Sequence, residues 1–223
     1  MKVIDLSVPV TPKLEVPSYR GVKLFEWQTP YATWDKDGYI STKFTAWSHV
    51  GTHADSPHHF VRDGQSIDQL PLEAFVGDAI LLDLTRKTHG KIMASDLEEA
   101  FKRVESKGVK YRPGWKMLLR TDHIKVWPNT EYWTEGPCLS REAAEWIVSK
   151  KPSCVGFDFF QDIKGPEGKG FPLHKVILSA GICQLEYLTN LDQIKKDHFT
   201  LVALPLKITG AEAALARVIA IID

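Results

Sequence analysis

Cysteine is scarce in this sequence, with three in 223 residues, at Cys138, Cys154 and Cys183. The number is odd, the spacings are long and no C-x-x-C pair occurs, so the thiols read as buried groups of a reduced, cytoplasmic protein. A surplus of charge is also lacking. Lys plus Arg and Asp plus Glu each number 28, giving a formal net charge of zero, which argues against a general nucleic-acid binder or an anionic-membrane binder. No apolar run approaches the ~18 residues of a membrane span. The first residues carry Lys2 and Asp5 and no long apolar core, so they do not read as a signal peptide. Repeats, low-complexity stretches and Gly/Ser linkers are absent as well. Hydrophobic residues at 43% and charged residues at 25% are ordinary for a folded domain. Residues 1–223 therefore read as one domain, long for its kind but able to bury a core without disulfide staples.

Short β-branched runs predict strands over 3–8, 42–48, 79–84, 116–121, 154–158, 182–188 and 199–206. Helices fall between some of them. Ser95-Asp96-Leu97-Glu98 has the pattern of a capping box, followed by an apolar stripe of Leu97, Ala100, Phe101 and Val104 and ended by Gly108. Ser140 opens a second helix with Ala143, Ala144, Ile147 and Val148 inward, and a short third one is expected from His174 to Ala180, stopped by Gly181. At the C-terminal end, 211–217 reads helical by composition and 217–222 reads as a strand. Together these predict an α/β domain around a mixed sheet. Residues 25–48 concentrate aromatics, Trp27, Trp34, Trp47, Phe25, Tyr31, Tyr39 and Phe44, around the turn signal Asp35–Gly38. They suit ordinary core and surface positions, a wall over a ligand pocket, or a subunit contact.

The chemistry is concentrated in His49-Val50-Gly51-Thr52-His53-Ala54-Asp55-Ser56-Pro57-His58-His59, which holds four of the eight histidines. Gly51 and Pro57 oppose a helix. In an extended chain side chains alternate, so His49, His53, Asp55 and His59 share a side, and Gly51 between them has no side chain to obstruct an ion. Two imidazoles and a carboxylate converging on one point make a metal site with open positions for water and substrate. Pro57 is expected to end the alternation, leaving His59 near the ion without ligating it. His58 has the opposite parity and reads as non-ligating.

The pattern H-x-G-T-H-x-D-x-P-x-H, filled here by His49, Gly51, Thr52, His53, Asp55, Pro57 and His59, resembles the signature of the metal-dependent cyclase family, which includes kynurenine formamidases and isatin hydrolases. Ile4–Ser7, Leu118–Thr121, Gly181–Leu191 and Leu204–Leu206 resemble further strands of that family. The resemblance implies a swivelling β/β/α fold assembled as a homodimer or homotetramer. It makes His49, His53 and Asp55 ligands of a first divalent metal, zinc or manganese, and matches His59 to the catalytic histidine. It also matches His174, with Glu186 twelve residues later, to the pair that holds a second metal in two-zinc members, with Asp55 bridging. The chain departs from the family in two places. Asp158-Phe159-Phe160-Gln161-Asp162 stands where kynurenine formamidases carry Asp-Thr-Pro-Ser-x-Asp, and Asp122-His123 follows Arg120-Thr121 where a Gly and an aromatic are common. His123 then reads as an exposed loop histidine or as an extra pocket residue.

These readings together imply a metal-dependent hydrolase of a non-peptide amide, cyclic amide or lactone. A divalent ion would activate water for attack on the carbonyl, with His59 relaying a proton to the leaving group. The substrate expected is a small molecule, with an aromatic one suggested by residues 25–48. A metal-dependent cyclase or dehydratase and a non-catalytic small-molecule binder are the alternatives.

Overall fold

The computed structural model describes residues 1–11, 14, 24–163 and 166–222. In chain order the elements begin with β1 (Lys2–Asp5), β2 (Phe25–Ala32), α1 (Trp34–Asp37), β3 (Ser41–Ala46) and β4 (His53–Asp55). The middle of the chain gives β5 (Val76–Asp83), β6 (Gly90–Ile92), α2 (Ala94–Ser106), β7 (Lys116–Arg120), α3 (Glu131–Thr134), β8 (Pro137–Leu139) and α4 (Arg141–Lys150). It closes with β9 (Cys154–Phe157), α5 (Pro172–Ser179), β10 (Cys183–Glu186), β11 (His198–Val202), β12 (Ala213–Leu215) and β13 (Ile219–Ile222).

Nine strands form one mixed sheet in the order β1-β13-β11-β5-β7-β9-β10-β4-β12. Its centre, β5-β7-β9-β10, is parallel, and the flanking strands are antiparallel. Central strands buried on both faces call for mostly apolar residues, and the sequence supplies them, while Gln184 and Glu186 of β10 turn polar groups to one face. Ile80, Leu82, Met117, Leu119, Val155 and Phe157 face a layer built from α2, α4 and α5. Ala79, Leu81, Leu118 and Cys154 face the opposite way and pack with Ile4, Ala54, Leu185, Ala214 and Ala220. Those partners come from both ends of the strand order, so the sheet curls until its ends share one core, and a bridge from Ser7 to Leu188 joins them. The expected α/β architecture with helices against a mixed sheet is what the chain forms. β2 and β3 make a separate hairpin that carries exposed Tyr31 and Phe44. All three cysteines are buried free thiols.

Several local expectations are corrected. Helix α2 starts at Ala94, not after Ser95, because the Asp96 carboxylate accepts from the Met93 N–H at 2.8 Å and satisfies that end. Helix α5 begins two residues early, at Pro172, whose fixed φ suits a first turn. Residues 211–217 are not helical. Ala213–Leu215 pair with β4 as the edge strand β12, a tertiary pairing that overrides alanine's helical preference. The turn expected at Asp35–Gly38 is the short helix α1, closed by Gly38 at φ +71°. Strand β4 was hidden by its brevity, and His123 is partly buried and stacked on Tyr132 rather than exposed.

Candidate metal centre

The histidine-rich segment is not one extended strand. Only His53–Asp55 is extended, between β10 and β12, with register partners Glu186 opposite His53 and Gln184 opposite Asp55. Directly paired antiparallel residues project to the same face. His53, Asp55, Gln184 and Glu186 therefore emerge together, while Ala54 and Leu185 point into the core on the other side. His49 arrives from a turn rather than by alternation. Gly51 has φ +65° within that turn, and a Cβ there would meet Val10 at 3.2 Å. Its carbonyl also faces His53 Nδ1 at 2.9 Å, so its role is to shape the turn and orient a ring. Thr52 pins the turn by donating to the Tyr187 carbonyl and accepting from the Val8 N–H. Pro57–His59 is a 3-10 turn that returns His59 toward His49, their ring centroids 4.3 Å apart, and leaves His58 exposed.

Outer partners fix the tautomers. The Gly51 carbonyl can only accept, so His53 Nδ1 carries the proton and Nε2 a lone pair. The Glu212 carboxylate lies 3.1 Å from His49 Nε2 and holds a proton there, so Nδ1 is the nitrogen that turns to Asp55 and offers a lone pair once its own proton leaves. His49 Nδ1 and His53 Nε2 are 3.2 Å apart and lie 3.0 and 3.2 Å from Asp55 Oδ1. Edges of this length are close to those spanned by ligands about 2.1 Å from a shared ion. Asp55 is fully buried, yet among the described residues neither of its oxygens accepts a well-formed hydrogen bond. A buried carboxylate without donors is costly unless a cation neutralises it. This donor set fits a divalent metal.

On the other side of Asp55, His174 Nε2 lies 4.0 Å from Oδ2 and 2.8 Å from Glu186 Oε1. Asp162 holds this histidine. Its carboxylate accepts from His174 Nδ1 at 2.8 Å and from the Leu173 and His174 N–H groups, capping α5 from a distance. Gln161 lies beside them, its Nε2 2.6 Å from Glu186 Oε1. Two donor groups among the described residues are compact enough to share an ion: His49, Asp55 and His59, and His53, Asp55 and Glu186. Around them stand Phe60, Phe171 and Tyr187, with ring centroids 5.5 and 5.6 Å from His174 for Phe171 and Phe60, and 5.6 Å from His53 for Tyr187.

The electrostatics express the same surplus of negative charge. Burial opposes a cation on His49, but Asp55 and Glu212 outweigh it and lift the imidazole to about 10. Burial likewise opposes a charge on His174, yet Asp162 and Glu186 raise it to about 10. Burial works against the Asp55 anion, but His49 and His53 hold it well below the usual carboxylate range. The hydrogen bond to His49, followed by one from Ser48, lowers Glu212 to about 2 despite partial burial. His59 behaves differently. Burial pushes it down to about 4, so it is a neutral imidazole near pH 7, able to accept a proton.

The Cyclase family model, described as "Putative cyclase", matches residues 4–161, well over half the chain. The chain belongs to the Cyclase family. It is 26% identical to a kynurenine formamidase of Erythrobacter litoralis over 218 residues, covering 98% of this chain and 93% of that one. It is 28% identical to a kynurenine formamidase of Salinibacter ruber, covering 98% and 97%. Among solved structures, isatin hydrolase A from Ralstonia solanacearum superposes with a TM-score of 0.85 at 23% identity, over 100% of this chain and 92% of that one, a likeness of fold. A protein from Bacillus stearothermophilus described as a predicted metal-dependent hydrolase superposes with a TM-score of 0.73 at 27% identity, over 98% and 97%.

Within this Cyclase-family fold, His49, His53, Asp55, His59, His174 and Glu186 all meet around one carboxylate. Phe25, Trp27 and Phe44 cluster on the β2–β3 hairpin, with centroids 6.2 to 6.3 Å apart. Sequence reading missed Glu212, the role of Asp162 and Gln161 beside His174, and Phe60 and Phe171. Glu212 stands alone as an acid in Gly210–Ala216, a signal available only once that stretch is known to pair with β4.

Proposed function

We propose that this protein is a metal-dependent hydrolase of non-peptide amides, acting on an aryl formamide or a related cyclic amide or lactone. The observation that carries this is the buried Asp55 carboxylate, without a well-formed hydrogen bond and faced by His49 Nδ1 at 3.0 Å and His53 Nε2 at 3.2 Å. His49, His53 and Asp55 would hold a divalent ion, zinc or manganese, both of which accept imidazole and carboxylate ligands. Bound there, the ion supplies Lewis-acid activation of water and of the substrate carbonyl. His59, neutral and beside His49, takes the proton of the attacking water and returns it to the leaving nitrogen. Water adds to the carbonyl carbon, the C–N bond breaks, and the amine leaves carrying the proton. Glu212 and the Gly51 carbonyl keep both ring lone pairs aimed inward. Phe60, Phe171 and Tyr187 give an apolar surround that favours a flat aromatic group. The names of the kynurenine formamidase and isatin hydrolase relatives support this substrate class. The family resemblance, with the exposed aromatics of the β2–β3 hairpin, supports a homodimer or homotetramer, which sedimentation would measure.

The test is a panel of matched aryl and alkyl formamides, cyclic imides and lactones, assayed with and without chelator. Chelator-sensitive hydrolysis with higher kcat/KM for the aryl member is expected. Hydrolysis of none of these, or turnover indifferent to chelator, would defeat the reading.

A further inference from the structure

The family resemblance implies a second ion held by His174 and Glu186 and bridged by Asp55, and the geometry around Gln161 speaks against that use. Gln161 is fully buried, and its Nε2 lies 2.6 Å from Glu186 Oε1, 2.9 Å from Gln184 Oε1 and 3.2 Å from His174 Nε2. Its orientation is fixed. Exchanging the amide oxygen and nitrogen would set an oxygen against both the Glu186 and the Gln184 oxygens. The Gln161 Oε1 accepts no hydrogen bond among the described residues, so the site forgoes one bond to keep the nitrogen there.

An amide NH2 that gives its two hydrogens to the Glu186 carboxylate and the Gln184 amide oxygen, with the His174 ring beside it, stands where a cation would stand. An ion bound by the same atoms would need them at about 2.1 Å, inside the space the nitrogen and its hydrogens fill. The Glu186–His174 contact is itself closed, at 2.8 Å, and Asp162 occupies the other His174 nitrogen. His174 accordingly belongs to neither compact donor group, while both contain Asp55.

We propose that the Gln161 amide substitutes for a second metal ion, so that the protein binds one ion per chain, and that His174 and Glu186 serve as a neutralising hydrogen-bonded pair beside it. This rests on the metal reading given above, and the experiment separates the two. The purified protein is stripped with chelator, titrated with Mn(II), and its bound metal counted by elemental analysis and by electron paramagnetic resonance. The wild type is expected to bind one equivalent with an uncoupled six-line signal. Gln161→Ala is expected to bind a second equivalent with a spin-coupled signal, and adding His174→Ala should return the count to one. Gln161→Ser serves if the alanine variant fails to fold. Two equivalents in the wild type, or one in a folded Gln161 variant, would overturn the proposal. No bound metal in the wild type would overturn the metal reading itself, whereas one tightly bound ion without hydrolysis would defeat the proposed activity and leave this inference standing.

Discussion

Glu212 belongs to neither compact donor group, yet its removal should weaken the metal centre by a calculable amount. Its carboxylate lies 3.1 Å from His49 Nε2 and accepts from Ser48 Oγ at 2.6 Å. Outer partners of ligating histidines are worth about 10–100-fold in metal affinity. The Glu212 side chain is 38% exposed, so solvent screening places it at the lower end. Glu212→Ala should therefore weaken binding about tenfold, or ~1.4 kcal/mol. Glu212→Gln keeps an oxygen that can accept from the His49 N–H and loses only the charge, so roughly a threefold loss is expected on the same scale. The strand contacts should survive both changes, because the Glu212 backbone carbonyl, not its side chain, accepts from Ser56. Competition with a chromophoric chelator measures both variants at one pH. Wild-type affinity in Glu212→Ala would refute the reasoning, as would a glutamine variant as damaged as the alanine one.

Other predictions follow from the same geometry. His59→Ala should keep its metal and fold but lose about 10²–10⁴ in kcat, and loss of metal by elemental analysis would instead make His59 a ligand. His49 is raised to about 10, so it carries a proton at neutral pH that ligation must displace. Metal affinity should then rise with pH by up to about tenfold per unit until near that value, with proton release detectable by calorimetry in buffers of different ionisation enthalpy; pH-independent affinity would contradict it. Leu118→Ala, at a fully buried position in the centre of the sheet, should cost about 2–5 kcal/mol in chemical denaturation; a loss below ~1 kcal/mol would mean the site collapses around the change.

The site's chemical identity was legible because its ligands are crowded into one short segment, where His, Gly, Asp and Pro at fixed spacing have few other uses. The path of the chain through that segment was not legible. Alternation accounts for His53 and Asp55 only, and a positive φ at Gly51 with a 3-10 turn at Pro57 delivers His49 and His59. The central strands read correctly because burial on both faces demands unbroken apolar runs. The edge strand β12 did not, since its alanines prefer helix and only pairing with β4 decides the matter. Glu212, Asp162 and Gln161 could not be read at all as partners. Their roles come from hydrogen bonds to residues distant in the chain, 163 positions away for Glu212 and His49.

The central claim is that hydrolysis depends on an ion held by His49, His53 and Asp55. Titrating a divalent metal into chelator-stripped protein while following hydrolysis of an aryl formamide tests it most directly, with His53→Ala run in parallel. No turnover in the stripped protein, recovery that breaks at one equivalent, and no recovery in His53→Ala are the predicted results. Full turnover by the stripped wild type, or metal-restored turnover by His53→Ala, would contradict the account.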